Sequence, residues 1–160
     1  MVRLGKLTDY GLVLMSFIAR SQGASLHSAR DLARESGLPL STVRKLLKEL
    51  LHRGLLMSHR GIRGGYILAR EPHDISIIDI IAALEGPLTL TECSSDTVGL
   101  CKLESNCPIS KNQRIINQAV RQALGTITLS DLIQPLQLVA VKDPRGNLLP
   151  AIRFVPGRVQ

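Results

Sequence analysis

The chain has 160 residues, of which 44% are hydrophobic and 2% aromatic, and it carries a formal net charge of +7. That composition supplies one core and an appended arm, and with no Trp the core must come from Leu, Ile, Val and Ala, which suits packed helices better than a sandwich. No run of about 18 apolar residues is present to span a membrane. Asp9 and the polar break at Arg20, Ser21 and Gln22 argue against a secretory signal, so a cytoplasmic protein is expected.

Residues 7–22 read as a helix, with Leu7, Tyr10, Leu14, Phe17 and Ile18 recurring every three or four positions. Ser28 followed by Asp31 resembles a capping box and opens a short helix with Ala29, Leu32 and Ala33 inward, which Gly37 ends. After Leu38, Pro39 and Leu40, Ser41 is expected to cap a helix running to about Arg53. Its buried stripe would be Val43, Leu46, Leu47 and Leu50, with Arg44, Lys45, Lys48 and His52 on the other side and Gly54 as its stop. The period then shortens. Residues 55–59 and 66–70 read as two strands around a loop of Arg60, Gly61, Ile62, Arg63, Gly64 and Gly65.

Pro72 ends the second strand, and Ser76 with Asp79 starts a helix over residues 77–84 that is apolar almost all round. Gly86 and Pro87 break it. A loop over residues 88–107 holds Cys93, Cys101 and Cys107, and Pro108 suits the first turn of a longer helix. Along that helix Ile109, Ile116, Ala119, Val120 and Ala123 form a stripe with no partner in the preceding core; a second copy of the chain is the simplest one. Residues 128–133 add a turn of helix, and residues 134–160 read as a hairpin or a loose tail.

The basic excess is local: between residues 28 and 70, nine Lys and Arg stand against three Asp and Glu. A stripe of that sign favours a polyanion, although charge alone fits a solvated surface equally well. The order is more specific. Two helices joined by a short turn, the second with a basic outer face, then a two-stranded hairpin, make a winged helix-turn-helix. The expected partner is double-stranded DNA. Ser28, Ser41, Thr42, Arg44 and Lys45 would meet base edges or backbone in the major groove, with Lys48 on phosphate. Arg60, Arg63, Gly64 and Tyr66 of the wing would approach the minor groove. The glycine-rich loop is no P-loop, because no Lys-Ser/Thr pair and no helix follow it.

The three cysteines are separated by seven and five residues. Three soft thiolates on one loop suit zinc, copper(I) or an iron–sulfur cluster; zinc sites usually show one tight Cys pair, which is missing. Reversible thiol oxidation and inert thiols stand beside the cluster as alternatives. No Cys-x-x-Cys pair or Cys–His arrangement points to an enzyme, and no small-molecule substrate is expected. A cluster carrier or scaffold would explain the cysteines and leave the basic helix and wing without a use.

Leu7, Thr8, Asp9, Tyr10 and Gly11, the wing from His59 to Ala69, the run Ala83, Leu84, Glu85, Gly86 and Pro87, and the three cysteines follow one another as in a known family. The chain resembles the Rrf2 regulators that sense iron–sulfur clusters, a group including IscR, NsrR and SufR. The stretches around Cys93 and over residues 101–107 look most like the branch that regulates the SUF cluster-assembly operon. The resemblance implies a homodimer, crossed through the long helix, on a palindromic operator. It also implies a [2Fe–2S] or [4Fe–4S] cluster on Cys93, Cys101 and Cys107, with Asp9 as a fourth ligand from the same or the partner subunit. His27, His52, His59, His73 and Glu104 are further candidates. A His found in some members after the last cysteine is Ser110 here, and an aromatic residue early in the long helix is replaced at or near Gln113.

The expected architecture is mainly α: a winged helix-turn-helix over 1–87, a cluster loop over 88–107, a long C-terminal dimerisation helix with a short cap over 108–133, and an extension over 134–160. The expected function is that of a transcription regulator, a repressor of cluster-assembly genes, whose operator affinity follows the state of the cluster. Thiol oxidation is the alternative switch.

Overall fold

The computed structural model describes residues 4–21, 25–95, 97, 100–103, 106–134 and 136–154. Helix α1 (Lys6–Arg20) runs through the centre and packs on α2 (Ala29–Ser36), α3 (Leu40–His52), α4 (Ile77–Glu85) and α6 (Leu129–Leu132). Leu14, Met15 and Ile18 turn inward from α1 to meet Leu32 of α2 and Val43, Leu46, Leu47 and Leu50 of α3. Each such side chain, once fully buried, contributes about 1.5–3 kcal/mol. The 3.6-residue period read in the sequence is therefore the period of this core. Among the described residues, no helix is long and apolar enough to cross a membrane.

Local chemistry sets the element ends. Ser28 caps α2 by accepting the Asp31 N–H at 3.2 Å. Gly37 ends it at φ 70°, a left-handed turn that a side chain would strain. α3 starts two residues earlier than the sequence suggests: Pro39, not Ser41, occupies the N-cap position, and no side chain caps the helix. α4 has a full reciprocal box, with the Ser76 N–H donating to Asp79 Oδ2 at 3.1 Å and the Asp79 N–H to Ser76 Oγ at 3.2 Å.

Strands β1 (Leu56–His59) and β2 (Gly65–Leu68) pair antiparallel, Leu56 opposite Leu68 and His59 opposite Gly65. A 3₁₀ turn, Pro72–Asp74, leads to α4. Helix α5 (Ser110–Gly125) begins two residues after Pro108, which lies outside it, with Ile109 at the N-cap. The chain then returns to the core: the Leu129 N–H donates to Ile75 O at 2.7 Å and the Ile77 N–H to Ile127 O at 2.9 Å. Thr128 and Asp131 form a second capping box that starts α6 and buries Leu129. Strands β3 (Leu136–Lys142) and β4 (Leu148–Phe154) form a separate antiparallel hairpin, closed by a turn in which Asp143 accepts the Arg145 and Asn147 N–H groups. Residues 155–160 lie outside the described residues.

Candidate nucleic-acid interface and cysteine loop

Burying Val43, Leu46, Leu47 and Leu50 fixes the rotation of α3 and so decides what faces outward. Ser41, Arg44, Lys45, Lys48 and His52 are exposed on the opposite side, and Thr42 is half-buried. The wing stands beside them. Arg60 and Arg63 are exposed at its tip with Ile62, which is fully exposed. Among the described residues the ion pairs are Arg34–Asp31, Arg70–Asp79 and His73–Asp74, so Arg44, Lys45, Lys48, Arg60 and Arg63 have no carboxylate partner. A row of uncompensated cations on one helix face and one loop tip is an electrostatic seat for a polyanion.

Other expected contact residues also serve the scaffold. The Ser28 hydroxyl donates to Asp31 Oδ2 at 2.6 Å while capping α2. That hydrogen bond, assisted by the Arg34 guanidinium, holds the Asp31 carboxyl below the usual carboxylate range. Tyr66 is half-buried against the core, and its backbone exchanges hydrogen bonds with His27, at 3.0 Å and 2.9 Å. Gly64 is half-buried in the tip turn, its N–H donating to Gly61 O at 3.0 Å. Between α2 and the wing, a cleft of ≈ 400 Å³ is lined by Ser28, Ala29, His59, Arg60, Gly64 and Tyr66, among others. The N-terminus of α2 opens beside it, where backbone N–H groups favour a phosphate.

Sequence reasoning offered His27 only as a candidate ligand, and among the described residues it joins no metal-holding group; its place beside the wing was missed. Its backbone forms an isolated antiparallel bridge with Tyr66 of the wing, and its Nε2 atom is buried without a hydrogen-bond partner among the described residues. A single bridging residue carries no periodic signal, so nothing in the sequence singles it out for this role.

The cysteine loop is held from α5. Arg114 Nε donates to Cys93 O at 2.9 Å. Asn117, only 4% exposed, accepts the Leu90 N–H at 3.0 Å and donates to Leu88 O at 3.5 Å. Cys93 is buried in a 3₁₀ turn, Glu92–Ser94, with Thr91 Oγ1 3.3 Å from its sulfur. Cys101 and Cys107 are half-buried, and all three thiols are free. Among the described residues, no three His, Cys, Asp or Glu side chains gather around a position where a metal would sit. Asp9 is exposed in the first turn of α1, outside any such group. His52 and His59 are exposed, His73 lies 3.6 Å from Asp74, and Glu104 lies outside the described residues. Within one chain, the donor set suits a cluster by its chemistry but is not assembled to hold one.

α5 turns Asn117, Val120 and Leu124 toward the body, and leaves Ile109, Ile116, Ala119 and Ala123 exposed together with Ile115. The stripe read in the sequence thus lies outside the single-chain core, except for half-buried Val120.

Residues 4–135 match the family model described as Rrf2, iron-dependent transcriptional regulator. The HTH-type transcriptional regulator CymR of Bacillus subtilis (strain 168) is 35% identical over 124 residues, spanning 77% of this chain and 83% of that protein. Among solved structures, T. potens IscR superposes with a TM-score of 0.63 at 30% identity, over 82% of this chain and 86% of that one. The oxidized form of Staphylococcus aureus CymR gives a TM-score of 0.63 at 31% identity, over 85% and 99%. The chain belongs to the Rrf2 family of transcriptional regulators, and its fold is the winged helix of those structures.

Proposed function

We propose that the chain acts as a homodimer on a two-fold symmetric operator, with α3 in the major groove and the wing against the flanking backbone. The uncompensated cations Arg44, Lys45, Lys48, Arg60 and Arg63 carry this reading. Arg44, one turn into the helix, has the length and fork to reach a guanine edge, and Lys48, a turn further on, suits phosphate. The exposed Ile109, Ile116, Ala119 and Ala123 of α5 supply the seam between two copies, which sets the spacing of the recognition helices. The test is binding to an operator selected from random sequence. Arg44→Ala should cost about 1–3 kcal/mol and relax one position of the site, whereas Lys48→Ala should weaken all sequences alike and flatten the salt dependence by about one unit. Equal losses on every sequence for both variants would refute the assignment of roles.

The loop carrying Cys93, Cys101 and Cys107 is the sensing element of this proposal. Three free thiols on one segment, tied to α5 through Arg114 and Asn117, couple loop chemistry to the helix that sets dimer geometry. The family's iron dependence favours an iron–sulfur cluster on these thiolates, with Asp9 a candidate fourth ligand from either subunit, and cluster-assembly genes as the regulated set. Among the described residues of one chain these donors are not gathered. A thiol switch is the second reading, favoured by the solved oxidized form of the related S. aureus CymR. Anaerobic purification with iron, sulfide and absorption analysis, repeated on Cys93→Ala, separates the two. Colour and iron lost in the variant support the cluster, whereas colourless protein with oxidant-dependent operator binding supports the thiol switch.

A further inference from the structure

One flank of α5 is polar. Arg114, Gln118, Arg121 and Gln122 stand there over Ser94 and Ser95 of the cysteine loop, with Ile78 and Asn117 below, and together they line a cleft of ≈ 630 Å³. That is the size of a small-molecule site. Among the described residues no carboxylate lines it, and Arg121 forms no ion pair. The Arg121 guanidinium, with the amides of Gln118 and Gln122 and the hydroxyls of Ser94 and Ser95, makes a donor-rich wall. A guanidinium fork matches the oxygen spacing of a carboxylate or phosphate.

Helical spacing puts Arg114, Gln118 and Arg121 on one side and Ile109, Ile116 and Ala123 on nearly the opposite one. A second copy seated on the apolar stripe therefore leaves the cleft open. We propose that this cleft binds a small metabolite bearing a carboxylate or phosphate oxyanion, with Arg121 as its principal cation and Gln118, Gln122 and Ser95 as hydrogen-bonding neighbours. The ligand also reaches the sensing loop, because Ser94 and Ser95 follow Cys93, whose carbonyl Arg114 holds at 2.9 Å. Occupancy fixes the start of that loop. The site itself does not depend on the DNA reading.

The test is calorimetric titration of the reduced, DNA-free full chain with citrate and, separately, inorganic phosphate. The expected result is one site per chain for at least one anion, weakened about tenfold or more in Arg121→Gln and unchanged in Arg44→Gln on the recognition helix. Arg121→Lys, which keeps the charge without the fork, should fall between. Binding of citrate alone assigns the carboxylate class, and binding of phosphate alone the phosphate class. The bound anion should also slow alkylation of Cys93 by iodoacetamide in the wild type but not in Arg121→Gln. Absence of binding by both anions at about 10 mM, or an equal loss in Arg121→Gln and Arg44→Gln, would overturn the proposal; the second result would place the anion on the DNA face.

Discussion

Thr8 Oγ1 donates a hydrogen bond to Glu85 Oε1 at 2.5 Å, joining the first turn of α1 to the last residue of α4. Thr8 is completely buried, and Gly11, one turn on, lets Leu84 lie against the α1 backbone where a β-carbon would collide with it. The two motifs are 77 residues apart in the chain and form one junction. Thr8→Val keeps the shape and removes the donor, so it should cost about 1 kcal/mol in urea unfolding, while Thr8→Ser should retain most of that. Equal midpoints for wild type and Thr8→Val would mean that the hydrogen bond contributes nothing net.

Gly65 sits where the wing meets His27. A β-carbon there would lie 2.8 Å from His27 O and 3.0 Å from His27 N, both backbone atoms that cannot rotate away. Gly65→Ala should therefore open the His27–Tyr66 bridge, at about 1–3 kcal/mol in stability, and weaken operator binding with it. Arg63→Ala is the contrast: the side chain is exposed at the tip, so affinity should fall while the unfolding curve stays put. A Gly65→Ala protein as stable as wild type would show that the bridge does not hold the wing.

The pH response of the helix-turn-helix centres on Asp31. The Ser28 hydroxyl, then the Arg34 guanidinium, depress its carboxyl. A carboxyl lowered in the folded state contributes stability above its ordinary value and loses that contribution as pH falls through the folded value. Ser28→Ala removes the largest cause. The variant should thus lose less stability than wild type when urea midpoints are compared at about pH 7 and about pH 3. Parallel losses would show that the Ser28 contact leaves the titration of Asp31 unchanged.

The parts legible in the sequence were those with a local period. The α3 stripe of Val43, Leu46, Leu47 and Leu50 predicted both the core face and, by exclusion, the outward Arg44, Lys45 and Lys48. Helix starts were less legible, because Ser41 and Pro108 look like starters out of context, whereas the chain entering each helix makes Pro39 and Ile109 the caps. The loop anchors were not legible at all. Asn117 looks like a flaw on the inner face of α5 until Leu88 O and Leu90 N–H, both 27 or more residues away, come to meet its amide. The bridge between His27 and Tyr66 is hidden for the same reason: long-range pairing of single residues leaves no repeating mark.

The dimer seam makes the sharpest demand on the proposed function. Ile109 and Ile116 are 52% and 50% exposed in the single chain, and with Ala123 they lie on one helix surface. Because the side chain is outside the core, Ile116→Glu should leave the circular dichroism and unfolding of the protomer nearly unchanged. A two-fold axis repeats each substitution, so the same change removes two apolar contacts and adds two buried charges per dimer. The loss should reach about 3–6 kcal/mol of association, enough to give monomers at micromolar concentration in sedimentation equilibrium. Operator binding should then fall to that of a single half-site, because the second recognition helix is no longer tethered to the first. If Ile116→Glu sediments with wild type as a dimer, α5 is not the seam, and the spacing of the recognition helices must be set by another surface.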